Sequence, residues 1–294
     1  MLPVQISVMG GILRRFTSRS FVLNRLLCLP NASGQAALDL LLQTYKREVG
    51  TSVLFTRIYN TADQKTVLPI LDKHGFDAEA IEKYVINLDR PFDDLFQAFH
   101  PRARNYIRRG LRREDVTVEE VTRRDQLPTV YDLLCQTADA KQFAMAEYVL
   151  FETAFDLLYE KGVIKFFLAR VGAVPAAVYV ELLYKDVIFY WYGGLSRQFQ
   201  AAHPTEFLMW YVLKWGTEQG YKRYDFGGSG IQDEGEELSR FKSRFGSEAI
   251  PFGHHTYSHI PFALQLSEWG YRGYQQVRDM AAILHLKATA SHVG

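Results

Sequence analysis

Cysteine is almost missing: Cys28 and Cys135 are the only two in 294 residues, both in apolar surroundings and at no ligand spacing. That excludes a disulfide framework and a cysteine metal site, and it suits a reducing compartment. Neither sign of charge is in excess, with 34 Lys and Arg against 33 Asp and Glu. Nothing global therefore draws the chain to DNA or to a membrane, and a polyanionic partner must be met by a local patch. Long apolar runs are missing too. The most apolar stretch, 163–194, is broken by Lys165, Arg170, Glu181, Lys185 and Asp186, short of the roughly 20 apolar residues that a spanning helix needs. The N-terminus has Arg14, Arg15 and Arg19 after its short apolar run and no small-residue cleavage site, unlike a signal peptide. A cytoplasmic protein with no integral membrane segment and no DNA partner is expected. Histidine supplies no metal site either. His254, His255 and His259 lie on or beside one expected strand, where neighbours point to opposite faces, and no acid or cysteine completes the set.

What is present is 48% hydrophobic residues, ample for a buried core. The second half has the clearest order. A strand over 116–121 precedes a helix carrying Leu127, Val130, Leu133 and Leu134, then a second helix over 147–161 with Phe151, Phe155 and Leu158. Strands over 164–171, 176–184 and 187–192 form an antiparallel meander joined by tight turns. A helix over 205–219, a strand over 222–226, a short helix with Leu238, Phe241 and Phe245, and a last strand over 249–257 follow.

That succession is similar to the GNAT acyltransferase fold, an α/β class. The first half repeats its tail, with strand 21–29, helix 34–49, strand 53–58, helix 66–73 and strand 83–88. A tandem with a partial first copy (1–90), a complete second copy (91–258) and C-terminal helices packing back (259–294, with Leu264, Trp269, Tyr274 and Val277) is expected.

Five segments in series carry a closer resemblance: Arg104-Asn105-Tyr106-Ile107-Arg108-Arg109, Tyr192-Gly193-Gly194-Leu195-Ser196, the Pro204 helix with Trp210 and Trp215, Tyr224-Asp225-Phe226-Gly227-Gly228, and Phe241-Lys242-Ser243-Arg244-Phe245-Gly246. The chain resembles the Fem aminoacyltransferases, which build peptidoglycan interpeptide bridges on tandem GNAT-like domains. The resemblance implies transfer of an amino acid from aminoacyl-tRNA to an amine of a cell-wall or related precursor, and a reaction-centre role for Lys242. Ser196 and Arg244, within the matching segments, join the substrate-binding candidates.

The same residues have physical readings of their own. Six arginines and no acid lie between Arg102 and Arg113, with Arg104, Arg108 and Arg112 at i, i+4 steps and Ala103, Ile107 and Leu111 as an apolar docking stripe. Arg104, Arg108 and Arg109 suit phosphate, whose geometry the guanidinium fork matches; the competing reading is a solvated helix neutralised by Glu114, Glu119 and Glu120. Lys242 stands where a fixed ammonium favours the oxyanion formed when an amine attacks an ester; the competing reading is a snorkelling surface lysine. Strand alternation sends Tyr190 and Tyr192 to one face and Trp191 to the other. Tyr192 is then a candidate proton donor and Tyr190 a substrate contact, with core packing as the alternative. Asp225 is placed to orient or deprotonate the amine or merely to cap a turn, and Gly227 and Gly228 let backbone approach a ligand.

The donor is read from another absence. Acyl-CoA enzymes of this fold hold pyrophosphate with a glycine-rich turn at a helix N-terminus. Here that place reads Arg197-Gln198-Phe199-Gln200-Ala201-Ala202-His203-Pro204, without glycine. No resident cofactor is expected, with aminoacyl-tRNA as the favoured co-substrate and acyl-CoA the alternative. A non-catalytic binding protein is the third possibility.

Overall fold

The computed structural model describes residues 3–7, 17–23, 26–59, 64–113, 115–141, 145–228, 235–262 and 265. The chain divides into two compact units, Met1–Ile81 with Pro251–Gly294, and Glu82–Ile250. It begins with β1 (Val4–Ser7), β2 (Ser18–Val22), α1 (Ala32–Val49), β3 (Phe55–Tyr59), α2 (Leu68–Lys73) and β4 (Asp77–Glu79). The second unit opens with β5 (Glu82–Asn87), α3 (Phe92–Ala98), α4 (Pro101–Arg113) and β6 (Val116–Glu120). It continues through α5 (Leu127–Lys141), α6 (Tyr148–Leu158), β7 (Ile164–Val171), β8 (Val174–Tyr184) and β9 (Val187–Leu195). Then come α7 (Pro204–Glu218), β10 (Arg223–Gly228), α8 (Gly235–Ser243) and β11 (Glu248–Pro251), before β12 (His254–Ser258) returns to the first unit.

The sheets are ordered β1-β2-β3-β12-β4 and β11-β5-β10-β9-β8-β7-β6. The internal repeat is visible in them. In one, β2 runs parallel to β3 and β12 lies antiparallel between β3 and β4. In the other, β9 runs parallel to β10, with β5 antiparallel to β10 and next to β11. Two strands thus sit in the opposite sheet from the one expected: Glu82–Asn87, read as closing the first copy, completes the second sheet, and His254–Ser258, read as closing the second copy, completes the first. The cause is local. The single strand expected over 249–257 is broken after Pro251, where Gly253 takes φ 60°, a conformation glycine adopts without a Cβ penalty. The amides of Phe252 and Gly253 then donate to the Ile81 carbonyl at 2.9 and 3.1 Å, which redirects the chain.

Helix α1 starts at Asn31, whose side chain accepts from the Gly34 amide at 2.8 Å, and buries Leu38 and Leu42 with Val22, Ile58 and Leu71. In the second unit one face of the sheet is covered by α5 and α6, through Leu133, Leu134, Phe151 and Phe155 against Phe166, Val178 and Val180. The other face is covered by α4 and α7, through Ile107, Leu208, Met209 and Val212 against Phe167, Tyr179, Ile188 and Tyr224. Each such side chain contributes about 1.5–3 kcal/mol on burial. The helices expected after Ile260, with Leu264, Trp269, Tyr274 and Val277, lie outside the described residues.

Candidate active site

The candidate site residues of the second unit gather about a fork in its sheet. Parallel strands β9 and β10 pair only over Val187–Phe189 and Arg223–Asp225. Just beyond, β9 carries a bulge: Glu181 of β8 faces Tyr190 and Val180 faces Tyr192, leaving Trp191 as the extra residue. The strand then runs so close to α5 that a Cβ on Gly194 would stand 2.6 Å from the Leu133 carbonyl.

The bulge corrects the expected alternation. Tyr190 lies on the α7 side, 5.1 Å from Tyr179 and 6.2 Å from Phe226 between ring centres. Trp191 and Tyr192 both lie on the α5/α6 side, 5.8 and 4.9 Å from Phe151. Tyr190 and Tyr192 therefore do not share a face, because one inserted residue inverts the parity of the strand.

Lys242, in the last turn of α8, is only 3% exposed. Its ammonium lies 5.8 Å from the Tyr84 ring and 6.0 Å from the Phe226 ring, an environment in which a cation is stabilised by ring faces rather than by bulk water. Phe226 thus stands between Lys242 and Tyr190 on the α7 side of the fork. Phe245 anchors the segment, wholly buried against Phe99 and Phe241.

Asp225 follows Tyr224 and precedes Phe226, so it points to the other face of the strand. Its Oδ2 accepts from Lys83 Nζ at 2.6 Å and its Oδ1 from the Gly227 amide at 2.8 Å. The side chains are 14% and 9% exposed for Lys83 and Asp225, and Gly227 makes the turn at φ 72°. Gly228 ends the strand. Sequence reasoning does not find Lys83, because it reaches Asp225 only through the strand exchange.

The arginine helix docks by a different stripe from the one expected. Ala103 and Ile107 are fully buried, but the third position is Gly110, whose Cβ would meet the Phe207 ring at 2.9 Å, while Leu111 is 45% exposed. Arg104 donates to the Gln97 side chain at 2.6 Å, Arg108 lies over the Phe96 ring at 5.6 Å and Arg109 is exposed. The acids expected to neutralise this helix are engaged elsewhere, Glu119 with Arg170 and Glu120 with Lys165, and Glu114 lies outside the described residues. Among the described residues no acid pairs with Arg102, Arg104, Arg108, Arg109 or Arg112.

Ser196 is buried, its amide donating to the Ala176 carbonyl at 2.8 Å. It lines an open groove of about 430 Å³ with Thr129, Asp132 and Gln136 of α5, away from Lys242. Residues Arg197–Ala202 form a 3-10 helix and His203 takes φ 54° before Pro204 opens α7. In that first turn Glu206, 5% exposed, accepts from Thr205 Oγ1 at 2.9 Å, with His203 Nδ1 at 3.5 Å and Arg244 Nη1 at 3.7 Å. Arg244 is thus paired within the protein, and a carboxylate already occupies the positive end of the helix.

A family model described as an acetyltransferase (GNAT) domain matches residues 98–243, the stretch that holds the fork and its helices. The crystal structure of FemX superposes on 85% of this chain and 83% of its own with a TM-score of 0.64, at 18% identity. The chain has a GNAT-type fold, shared with FemX. Its chemistry in coarse terms is that of an acyltransferase. Two further solved structures share the fold. The C-terminal domain of a putative lysylphosphatidylglycerol synthetase from Agrobacterium fabrum covers 85% of this chain and 80% of its own, with TM-score 0.55 and 17% identity. A GCN5-related N-acetyltransferase from Sphaerobacter thermophilus covers 87% and 76%, with TM-score 0.51 and 12% identity. No curated protein is significantly similar to this GNAT protein in sequence. Among its described residues no helix is long and apolar enough to cross a membrane.

Proposed function

We propose that the chain transfers an amino acid from the ester of an aminoacyl-tRNA to an amine on a cell-wall or related precursor. The observation that carries this reading is Lys242, held almost out of solvent beside the fork between ring faces. Attack of the amine nitrogen on the ester carbon forms the C–N bond and puts negative charge on the carbonyl oxygen. The C–O bond to the donor then breaks. A pre-positioned ammonium in a poorly solvated place favours that charge more than it favours the ground state. The choice of donor is supported by the first turn of α7. A pyrophosphate would need the free amides and positive field of that helix end, yet Pro204 removes one N–H and Glu206 places a carboxylate there. The exposed arginines of α4 supply the cationic face that a phosphate-bearing donor or acceptor requires.

The test is to incubate the purified protein with radiolabelled aminoacyl-tRNA or acyl-CoA and a panel of amines, including nucleotide-linked cell-wall precursors. Label should move from aminoacyl-tRNA, and Lys242→Met should lower kcat about 10²–10³-fold without loss of fold, the usual effect of removing one oxyanion contact. Transfer from acyl-CoA alone, or an undiminished Lys242→Met enzyme, refutes the proposal.

A further inference from the structure

Strand β8 holds a glutamate where its neighbours are apolar or aromatic. Glu181 is wholly buried. Its Oε1 accepts a hydrogen bond from the Tyr224 hydroxyl at 2.8 Å, while Oε2 is buried without a partner. Every packed element contributes to these surroundings. Tyr190 is its cross-strand neighbour on β9, and Lys165 its neighbour on β7, with the Lys165 ammonium taken by Glu120. Tyr179 on the same strand donates to the Thr205 carbonyl at 3.2 Å. From α7 come apolar Leu208, Met209 and Val212, with Tyr211 beside them and Glu206 in the first turn. Among the described residues no lysine or arginine pairs with Glu181, and burial lifts its carboxyl to about 8, against the lowering effect of the Tyr224 hydrogen bond.

The group lies under the vertex of the fork. Tyr224 immediately precedes Asp225, the last residue of β10 paired with β9, and Tyr190 immediately follows Phe189, the last of β9. A transfer at the fork requires the amine to shed a proton. The proposed reaction uses Lys242 for the oxyanion, and Asp225 is committed to Lys83. We propose that Glu181 is a positioning residue for that proton, taking it from the amine through the phenol of Tyr224, whose hydroxyl already donates to it. As the C–N bond forms, the amine proton passes to a phenol oxygen while the phenol's own proton moves on to the Glu181 carboxylate. When the C–O bond breaks, the same proton returns by the same phenol to the leaving oxygen, so the carboxylate is regenerated and nothing else is consumed. A buried acid that titrates close to working pH suits such a shuttle, and a surface carboxylate does not.

The role rests on the proposed transferase function, so its test has a readout on the protein alone. Carboxyl-labelled glutamate is followed by isotope-edited infrared spectroscopy across pH. Wild type should keep one protonated glutamate beyond neutrality, absent in Glu181→Gln. Tyr224→Phe, which removes the lowering hydrogen bond, should move its ionisation to still higher pH; this variant carries the test if Glu181→Gln does not fold. In turnover, the wild-type rate should climb with pH through the same ionisation, and Glu181→Gln should lose that limb and about 10²–10⁴-fold in kcat. Ionisation of Glu181 together with the surface glutamates, or a Glu181→Gln enzyme with its pH limb intact, overturns the role. A wild type that moves no acyl group from any donor overturns the transferase function and this role together, whereas a failed titration overturns the role alone.

Discussion

The ion pair between Lys83 and Asp225 decides whether Asp225 is free for chemistry or holds the sheet together. Two charges 2.6 Å apart attract by about 6 kcal/mol at an effective dielectric constant near 20, and much of that offsets the desolvation of groups only 14% and 9% exposed. Removing one member leaves the other buried without its counter-charge, so Lys83→Met and Asp225→Asn should each cost about 3 kcal/mol. The double variant should cost no more than either single one, a coupling energy of about 3 kcal/mol. Urea unfolding followed by Trp191, Trp210 and Trp215 fluorescence reports on the unit that holds the pair. Any further contact of Lys83 drops out of the double-mutant cycle, which isolates the pairwise part. Additive single variants, with coupling below about 0.5 kcal/mol, would refute a bound Asp225 and return it to the list of available bases.

Other consequences are open to direct measurement. Gly194→Ala sets a Cβ 2.6 Å from Leu133 backbone that cannot swing aside, and should lower stability in thermal unfolding by about 1–3 kcal/mol. Arg108→Ala with Arg109→Ala should change stability by less than about 0.5 kcal/mol each, yet weaken tRNA binding and flatten its dependence on salt; an unchanged salt slope rules this helix out as the phosphate contact. Because the folded protein keeps Glu181 protonated to about 8 and the unfolded chain does not, the folded state binds the extra proton between the two ionisations. Stability should therefore fall as pH rises from about 4.5 to 8, by at most about 1.4 kcal/mol per pH unit. Glu181→Gln should remove that slope in urea titrations at several pH values.

Much of the second unit is legible because its signals are local. Helix α7 and meander strands β7 to β9 carry their own periodicity and turn residues, and lie within a few residues of where these place them. What depends on distant chain is not legible. Hydrophobic pattern marks Glu82–Asn87 and His254–Ser258 as strands but carries no label for the sheet each joins. One inserted residue at Trp191 sends Tyr190 and Tyr192 to opposite faces, and alternation has no means of showing it. Leu111 loses the docking face to Gly110 because Phe207 needs the space a side chain would fill, a fact about α7 and not about α4. Glu181 sits inside an otherwise apolar strand, where an isolated acid reads as an interruption and not as a buried functional group. A burial pattern that tolerates one acid deep in a strand was the available signal.

The reciprocal exchange of β5 and β12 bears on how the protein comes into being. Strand β3 receives its neighbour β12 from about 200 residues further along the chain, as the Arg57–Thr256 hydrogen bond records with a separation of 199. While the polypeptide is still being synthesised, the early sheet waits with β3 as an open edge until β12 has left the ribosome. Pairings this remote assemble slowly, and unfilled edges invite other strands. A truncated product ending before His254 is thus primed to borrow a strand from another molecule.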